Sequence, residues 1–143
     1  MWRRGFSPAP FRVTLLVAAA VVERDGQFLL TRRLKGTHLA GAWEFPGGKC
    51  EADESPEACL HREIVEELAV DIAIGERLLV TRHAYPERTV ELHFFAARLG
   101  GEPIPQLGQE MRWVPREELA QLELPEADGD LIKLLTKTGG SPG

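Results

Sequence analysis

Three glutamates, Glu63, Glu66 and Glu67, stand at i, i+3 and i+4 of a segment that has every mark of a helix. Ser55 is a natural N-cap, and Pro56 loses nothing at the first helical position, where its missing N–H would have gone unpaired. Leu60, Ile64 and Leu68 then recur at i, i+4 and i+8 and form one apolar stripe, so the helix should run from Ser55 to about Leu68. The three carboxylates project beside that stripe within about 100° of arc. Like charges at these spacings cost about 0.2–0.5 kcal/mol per pair in an isolated helix. They also crowd its C-terminal half, the wrong end for negative charge in the helix dipole. A solvated acidic face is one reading. The other is that the missing positive charge comes from a bound hard cation, Mg²⁺ or Mn²⁺, which takes carboxylate oxygens and keeps room for substrate phosphates.

What surrounds the helix limits the fold further. The chain has 143 residues, enough for one domain and no second core. With 43% apolar and 27% charged residues it is ordinary globular sequence, which argues against disorder or a disulfide scaffold. Such a domain needs no metal to fold, so any metal is chemical rather than structural. The net charge is −5 and no basic run exceeds two residues, which excludes a general nucleic-acid-polymer binder. The longest apolar stretch, residues 13–22, is too short to span a bilayer and reads as a buried strand. Cys50 and Cys59 are too few for a disulfide framework and read as two reduced thiols of a cytoplasmic protein.

Along the chain, residues 1–12 form a loose leader, 13–137 the domain and 138–143 a flexible tail. An Asp25-Gly26 turn should fold residues 13–22 and 27–33 into a hairpin. Pro46-Gly47-Gly48 should end the short extended piece Trp43-Glu44-Phe45. Two extended segments, 72–74 and 77–85, lead to an alternating strand at 89–99 that pairs as a hairpin, with Phe94 and Phe95 in the core. A Gly/Pro loop, a strand at 111–114, a short helix from Pro115 and a terminal helix from Asp128 or Asp130 complete the chain. His38, His83 and His93 share no ligand spacing and read as loop or strand residues. The sum is an α+β domain with a central mixed sheet.

The segment GKCEADESPEACLHREIVEELAV, residues 48–70, resembles the Nudix box, G-x5-E-x7-R-E-U-x-E-E-x-G-U with U aliphatic. Gly48, Glu54, Arg62, Glu63, Ile64, Glu66, Glu67 and Val70 match in register, and Ala69 replaces the late glycine. If that position takes a positive φ, alanine costs about 1 kcal/mol there. HLAGAWEFPGGK (38–49), TRR (31–33), YPERTVELHFF (85–95), GEP (101–103), GQEMRWVPREEL (108–119) and LPEAD (124–128) look like the MutT branch of Nudix hydrolases. That branch includes 8-oxo-dGTP diphosphatases and (d)CTP pyrophosphatases.

The resemblance implies an α/β/α sandwich, with the box helix and a C-terminal helix flanking the sheet. It also implies metal-dependent attack of water on a nucleoside triphosphate, yielding the monophosphate and pyrophosphate. By the same resemblance Glu63, Glu66 and Glu67 are metal ligands and catalytic groups, joined by a carbonyl near Gly47. Gly48, Glu54 and Arg62 support the loop–helix geometry. Lys49, Arg32 and Arg33 are candidate cations for phosphates, with a surface role the equal alternative for Arg33. Phe45, Arg88 and Asp128 fall near the base, where Asp128 would accept a hydrogen bond from N7–H of 8-oxoguanine or the N4 amino group of cytosine, or else cap the last helix. Many relatives carry a glutamate six residues before the tryptophan of RWV. Here that position is Leu107, and the nearest substitute is Glu110; otherwise a box glutamate activates the water. The expected partner is a small nucleotide substrate, with no nucleic-acid polymer and no membrane, for a monomer or homodimer. The alternatives are a (d)CTP or 5-methyl-dCTP pyrophosphatase and a nucleotide-binding module without hydrolysis.

Overall fold

A computed structural model describes residues 13–32, 41–122, 124 and 128–139. The leader, Arg33, His38 and residues 140–143 lie outside the described residues. Strands β1 (Val13–Val21), β2 (Glu23–Arg24), β3 (Gln27–Arg32), β4 (Trp43–Glu44) and β5 (Gly47–Lys49) precede helix α1 (Pro56–Leu68). Strands β6 (Ile72–Ala84), β7 (Arg88–Leu99) and β8 (Glu110–Pro115) follow. A 3₁₀ helix (Arg116–Gln121) and α2 (Gly129–Gly139) close the chain.

One sheet has the order β5-β1-β7-β6; in the other, β3 pairs with β2, β4 and β8. The β1–β7 pairing is parallel and the remaining ones are antiparallel, so the sheet layer is mixed. Each of two cores draws residues from both sheets. Cys59, Leu60, Ile64 and Leu68 of α1 pack with Ala18, Ala20, Leu29 and Phe95. On the other side Leu119, Leu131 and Leu135 pack with Ala19, Phe28, Leu30, Phe45, Phe94 and Val114. The result is the expected α/β/α sandwich.

Helix α1 is built as its sequence requires. The Ser55 Oγ accepts a hydrogen bond from the Ala58 N–H at 3.1 Å, and Pro56 opens the first turn. Ala69 closes the helix in the left-handed conformation at φ 52°, its N–H donating to the Val65 carbonyl.

Four expectations need correction. Strand β1 does not pair with β3: a two-residue strand, β2, makes the hairpin around Asp25-Gly26, and β1 lies between β5 and β7. The uninterrupted apolar run of β1 needs cover on both faces, which a sheet interior gives and a hairpin edge does not. The extended piece does end before Pro46, but Gly47 to Lys49 do not stay irregular: they form β5, antiparallel to β1. Strand β6 is continuous, with register shifts between Ile74 and Leu79 absorbing the break at Gly75. Cys50 and Cys59 are not two free thiols: they form a disulfide, because β5 and the first turn of α1 bring their Cα atoms to 5.1 Å, within disulfide reach. In addition, α2 extends its helical backbone through Gly139, into the expected tail.

Candidate active site

The junction between β5 and α1 is organised by Arg62. Its guanidinium donates to both carboxylate oxygens of Glu54 (2.6 and 2.8 Å), to Glu63 (2.8 Å), to Glu66 (3.0 Å) and to the carbonyl of Lys49 (3.2 Å). A lysine could not span these acceptors, because its three N–H donors share one nitrogen whereas the guanidinium spreads five over a planar fork. Glu54 also accepts from the Glu51 N–H at 2.8 Å. The Arg62 pairing, with that backbone bond, lowers the Glu54 carboxyl to about 2, and the surrounding carboxylates hold Arg62 still more firmly protonated. Gly48 faces Glu63 so closely that a Cβ would meet the Glu63 carboxylate.

Glu67 sits differently. Its carboxyl is pushed up to about 9, first by burial, then by its hydrogen bond to Glu63 and by the charges of Glu63, Glu44 and Glu66. The loop 100–109 fixes the helix end that carries it. The Gln106 N–H and the Gln109 side-chain amide both donate to the Glu67 carbonyl (2.9 and 3.1 Å), and the Ile104 N–H donates to that of Leu68 (2.8 Å). Nothing in the sequence reading pointed to this clamp, since backbone acceptors at a helix end look alike whatever the residue.

Glu67 opens into a cavity of about 740 Å³. Glu44, Phe45, Gly47, Gly48, Lys49, Arg88 and Asp128 line it with Val17, Leu92 and Phe94 from the sheet. Phe45 is buried and packs edge-on against Phe94, their centroids 6.2 Å apart. Asp128 is 4% exposed and immediately precedes α2. A second, apolar cavity of about 580 Å³, between the β6 bulge, Phe28 and Leu135, includes no box residue.

Of the residues singled out from sequence, Gly47, Gly48, Lys49, Phe45, Glu67, Arg88 and Asp128 therefore share one cavity, while Glu54, Arg62, Glu63 and Glu66 form the network at its edge. Arg32 and Glu110 are not brought there. They face each other across β3 and β8 and pair at 3.3 Å, with Arg32 lying over the Trp43 ring. Leu107 is exposed.

Glu44, Tyr85 and Glu87 were missed. Glu44 had a signal: in Trp43-Glu44-Phe45 the two aromatics turn to one core, so alternation sends Glu44 to the opposite face. Tyr85 and Glu87 belong to the β6–β7 turn, which only the tertiary fold carries over the cavity.

Arg62 occupies oxygens of Glu63 and Glu66, and among the described residues no three His, Cys, Asp or Glu side chains stand ready to chelate an ion. The fit to a divalent cation rests instead on donor chemistry. Hard carboxylate oxygens crowd one helix turn, and the Glu67 carboxyl is pushed up by burial and by carboxylate neighbours whose charge a cation would neutralise, freeing Glu67 to ionise.

A sandwich carrying this glycine-loop-helix site has known counterparts. The NUDIX domain matches residues 17–134. The chain is 37% identical over 125 residues to an 8-oxo-dGTP diphosphatase of Haemophilus influenzae, covering 85% of this chain and 92% of that protein. It is 36% identical over 118 residues to a CTP pyrophosphohydrolase of Escherichia coli, covering 82% and 87%. Among solved structures, the solution structure of the E. coli ORF135 protein superposes with a TM-score of 0.82 at 32% identity, covering 94% and 98%. A MutT protein from Methanosarcina mazei Go1 superposes at 0.81 and 24% identity, covering 93% and 100%, and speaks for the fold. The chain belongs to the NUDIX domain family and is a Nudix hydrolase.

Proposed function

We propose that the chain is a divalent-cation-dependent pyrophosphohydrolase that converts a nucleoside triphosphate, 8-oxo-dGTP first among them, to the monophosphate and pyrophosphate. The observation that carries this reading is that one cavity is lined by Glu67, Gly47, Gly48 and Lys49 together with Phe45, Arg88 and Asp128. Its size suits one nucleotide.

Glu63, Glu66 and Glu67, with the Gly47 carbonyl, would hold Mg²⁺ or Mn²⁺. Bound there, the ion neutralises phosphate charge and lowers the pKa of water. The chain's own groups do the rest. Gly47 and Gly48 let the backbone approach the phosphates without a side chain between. Lys49 supplies a positive charge from the cavity wall. Glu67 accepts the proton of the attacking water, the role that Leu107 cannot fill and that Glu110, paired with Arg32, is not placed for. Arg62 keeps Glu63 and Glu66 on the correct side of the helix through its grip on Glu54. The buried Asp128 accepts a base N–H.

That acceptor favours a second reading equally in chemistry: the N4 amino group of cytosine, as in a CTP or 5-methyl-dCTP substrate. Work on the free nucleotide pool would put the chain in the cytoplasm. The test is a panel of 8-oxo-dGTP, dGTP, dCTP, 5-methyl-dCTP and ADP-ribose with Mg²⁺, scored for pyrophosphate and phosphate. Pyrophosphate released fastest from 8-oxo-dGTP supports the first reading, and from a cytosine nucleotide the second. Release from none would leave a binding module.

A further inference from the structure

We propose that Cys50 and Cys59 form a reversible thiol–disulfide site that sets how tightly the loop between β5 and α1 is held, and through it the affinity of the box for its cation. The inference rests on the cation-site reading above. The disulfide closes a ring from Cys50 to Cys59. Inside that ring lie the turn in which the Glu54 N–H donates to the Glu51 carbonyl at 3.0 Å, the Glu54 carboxylate that grips Arg62, and the Ser55 cap of α1. Both ends are anchored: the Cys50 N–H donates to the Leu16 carbonyl of β1 at 2.8 Å, and Cys59 is wholly buried in the α1 core. The bond therefore constrains the one segment that joins the cavity-lining glycines to the carboxylate helix. It is not needed to build either core, since a domain of this size closes on its apolar residues.

The two sulfurs differ in access. Cys59 is buried and Cys50 half-buried, so exchange passes through Cys50. On oxidation by a small-molecule disulfide, the Cys50 thiolate attacks one sulfur of that reagent and releases the first reagent thiol. Cys59 then displaces the second, and the reagent has gained the two electrons and two protons that the cysteines have lost. A dithiol reductant reverses both steps. These are the chain's only cysteines, so no other pairing within it competes. The Cα atoms at 5.1 Å allow both states without moving either element.

The full chain is equilibrated with oxidised glutathione or with dithiothreitol. Intact mass then reports the two-hydrogen difference, amide exchange follows residues 51–55, and Mn²⁺ half-saturation is measured on each form. Reduction is expected to speed exchange in 51–55 and raise the Mn²⁺ needed several-fold. It should also lower the melting temperature by about 5–10 °C. Re-oxidation restores all three, and Cys50→Ser keeps the reduced values under both reagents. Thiols that stay free in oxidised glutathione, or exchange and Mn²⁺ affinity indifferent to redox state, overturn the proposal. Failure of both forms to bind Mn²⁺ overturns the cation-site reading on which it rests, whatever the loop does.

Discussion

Gly47 and Gly48 are neighbours with different reasons to lack a side chain. A Cβ on Gly47 would fall 2.0 Å from the Ala18 carbonyl, on backbone that cannot yield. One on Gly48 would fall 2.1 Å from a carboxylate oxygen of Glu63, the mobile end of a flexible side chain. Gly47→Ala should therefore lower the melting temperature sharply. Gly48→Ala should melt near the native value yet lose most activity, because Glu63 has been turned away. Calorimetry and a pyrophosphate assay on both variants separate the two effects, and equal loss of stability in both would refute the distinction. At this scale the sequence was informative where spacing along one helix decides the geometry, as for Glu63, Glu66 and Glu67. It was silent where strand pairing decides. Only the alignment of Thr31 with Glu44 puts a fourth carboxylate near Glu67, and only the pairing of β3 with β8 turns Glu110 into a partner of Arg32.

Helix α1 was legible from end to end, because its cap, first-turn proline and apolar stripe are local signals. Its departure from the family pattern gives a prediction. Ala69 holds φ 52°, a conformation that costs alanine about 1 kcal/mol relative to glycine. Ala69→Gly should raise the melting temperature by about 2–4 °C. No change, or a drop, would mean that the C-terminal turn is held by the clamp of loop 100–109 alone. The strands were less legible. An Asp-Gly turn flanked by apolar runs signals a hairpin, and one forms. Which stretch pairs across it depended on where a doubly apolar strand could find cover on both faces. The cysteines were misread for a similar reason: a nine-residue separation says nothing of the distance between β5 and α1.

For the molecule as a whole, the concentration of carboxylates around Glu67 should be visible in stability. The folded-state value of about 9 lies above the ordinary 4.5, so folding takes up a proton at Glu67. That contribution is complete below about pH 4.5 and is lost as pH rises through about 9. In chelator, the native chain should lose stability relative to Glu67→Gln across that window, because glutamine imitates the protonated state at every pH. Parallel melting curves would show that Glu67 carries no such burden. Divalent cations should reverse the loss, raising the melting temperature more at pH 8 than at pH 5, where protons compete for the same oxygens.

The most direct measurement is a calorimetric titration of Mn²⁺ into the native chain and into Glu67→Gln, each holding a non-hydrolysable nucleoside triphosphate. Saturable binding to the native chain, weakened about tenfold or more by the substitution, is the expected result. No binding to the native chain, or equal affinity in the two, would contradict a cation site built on this helix.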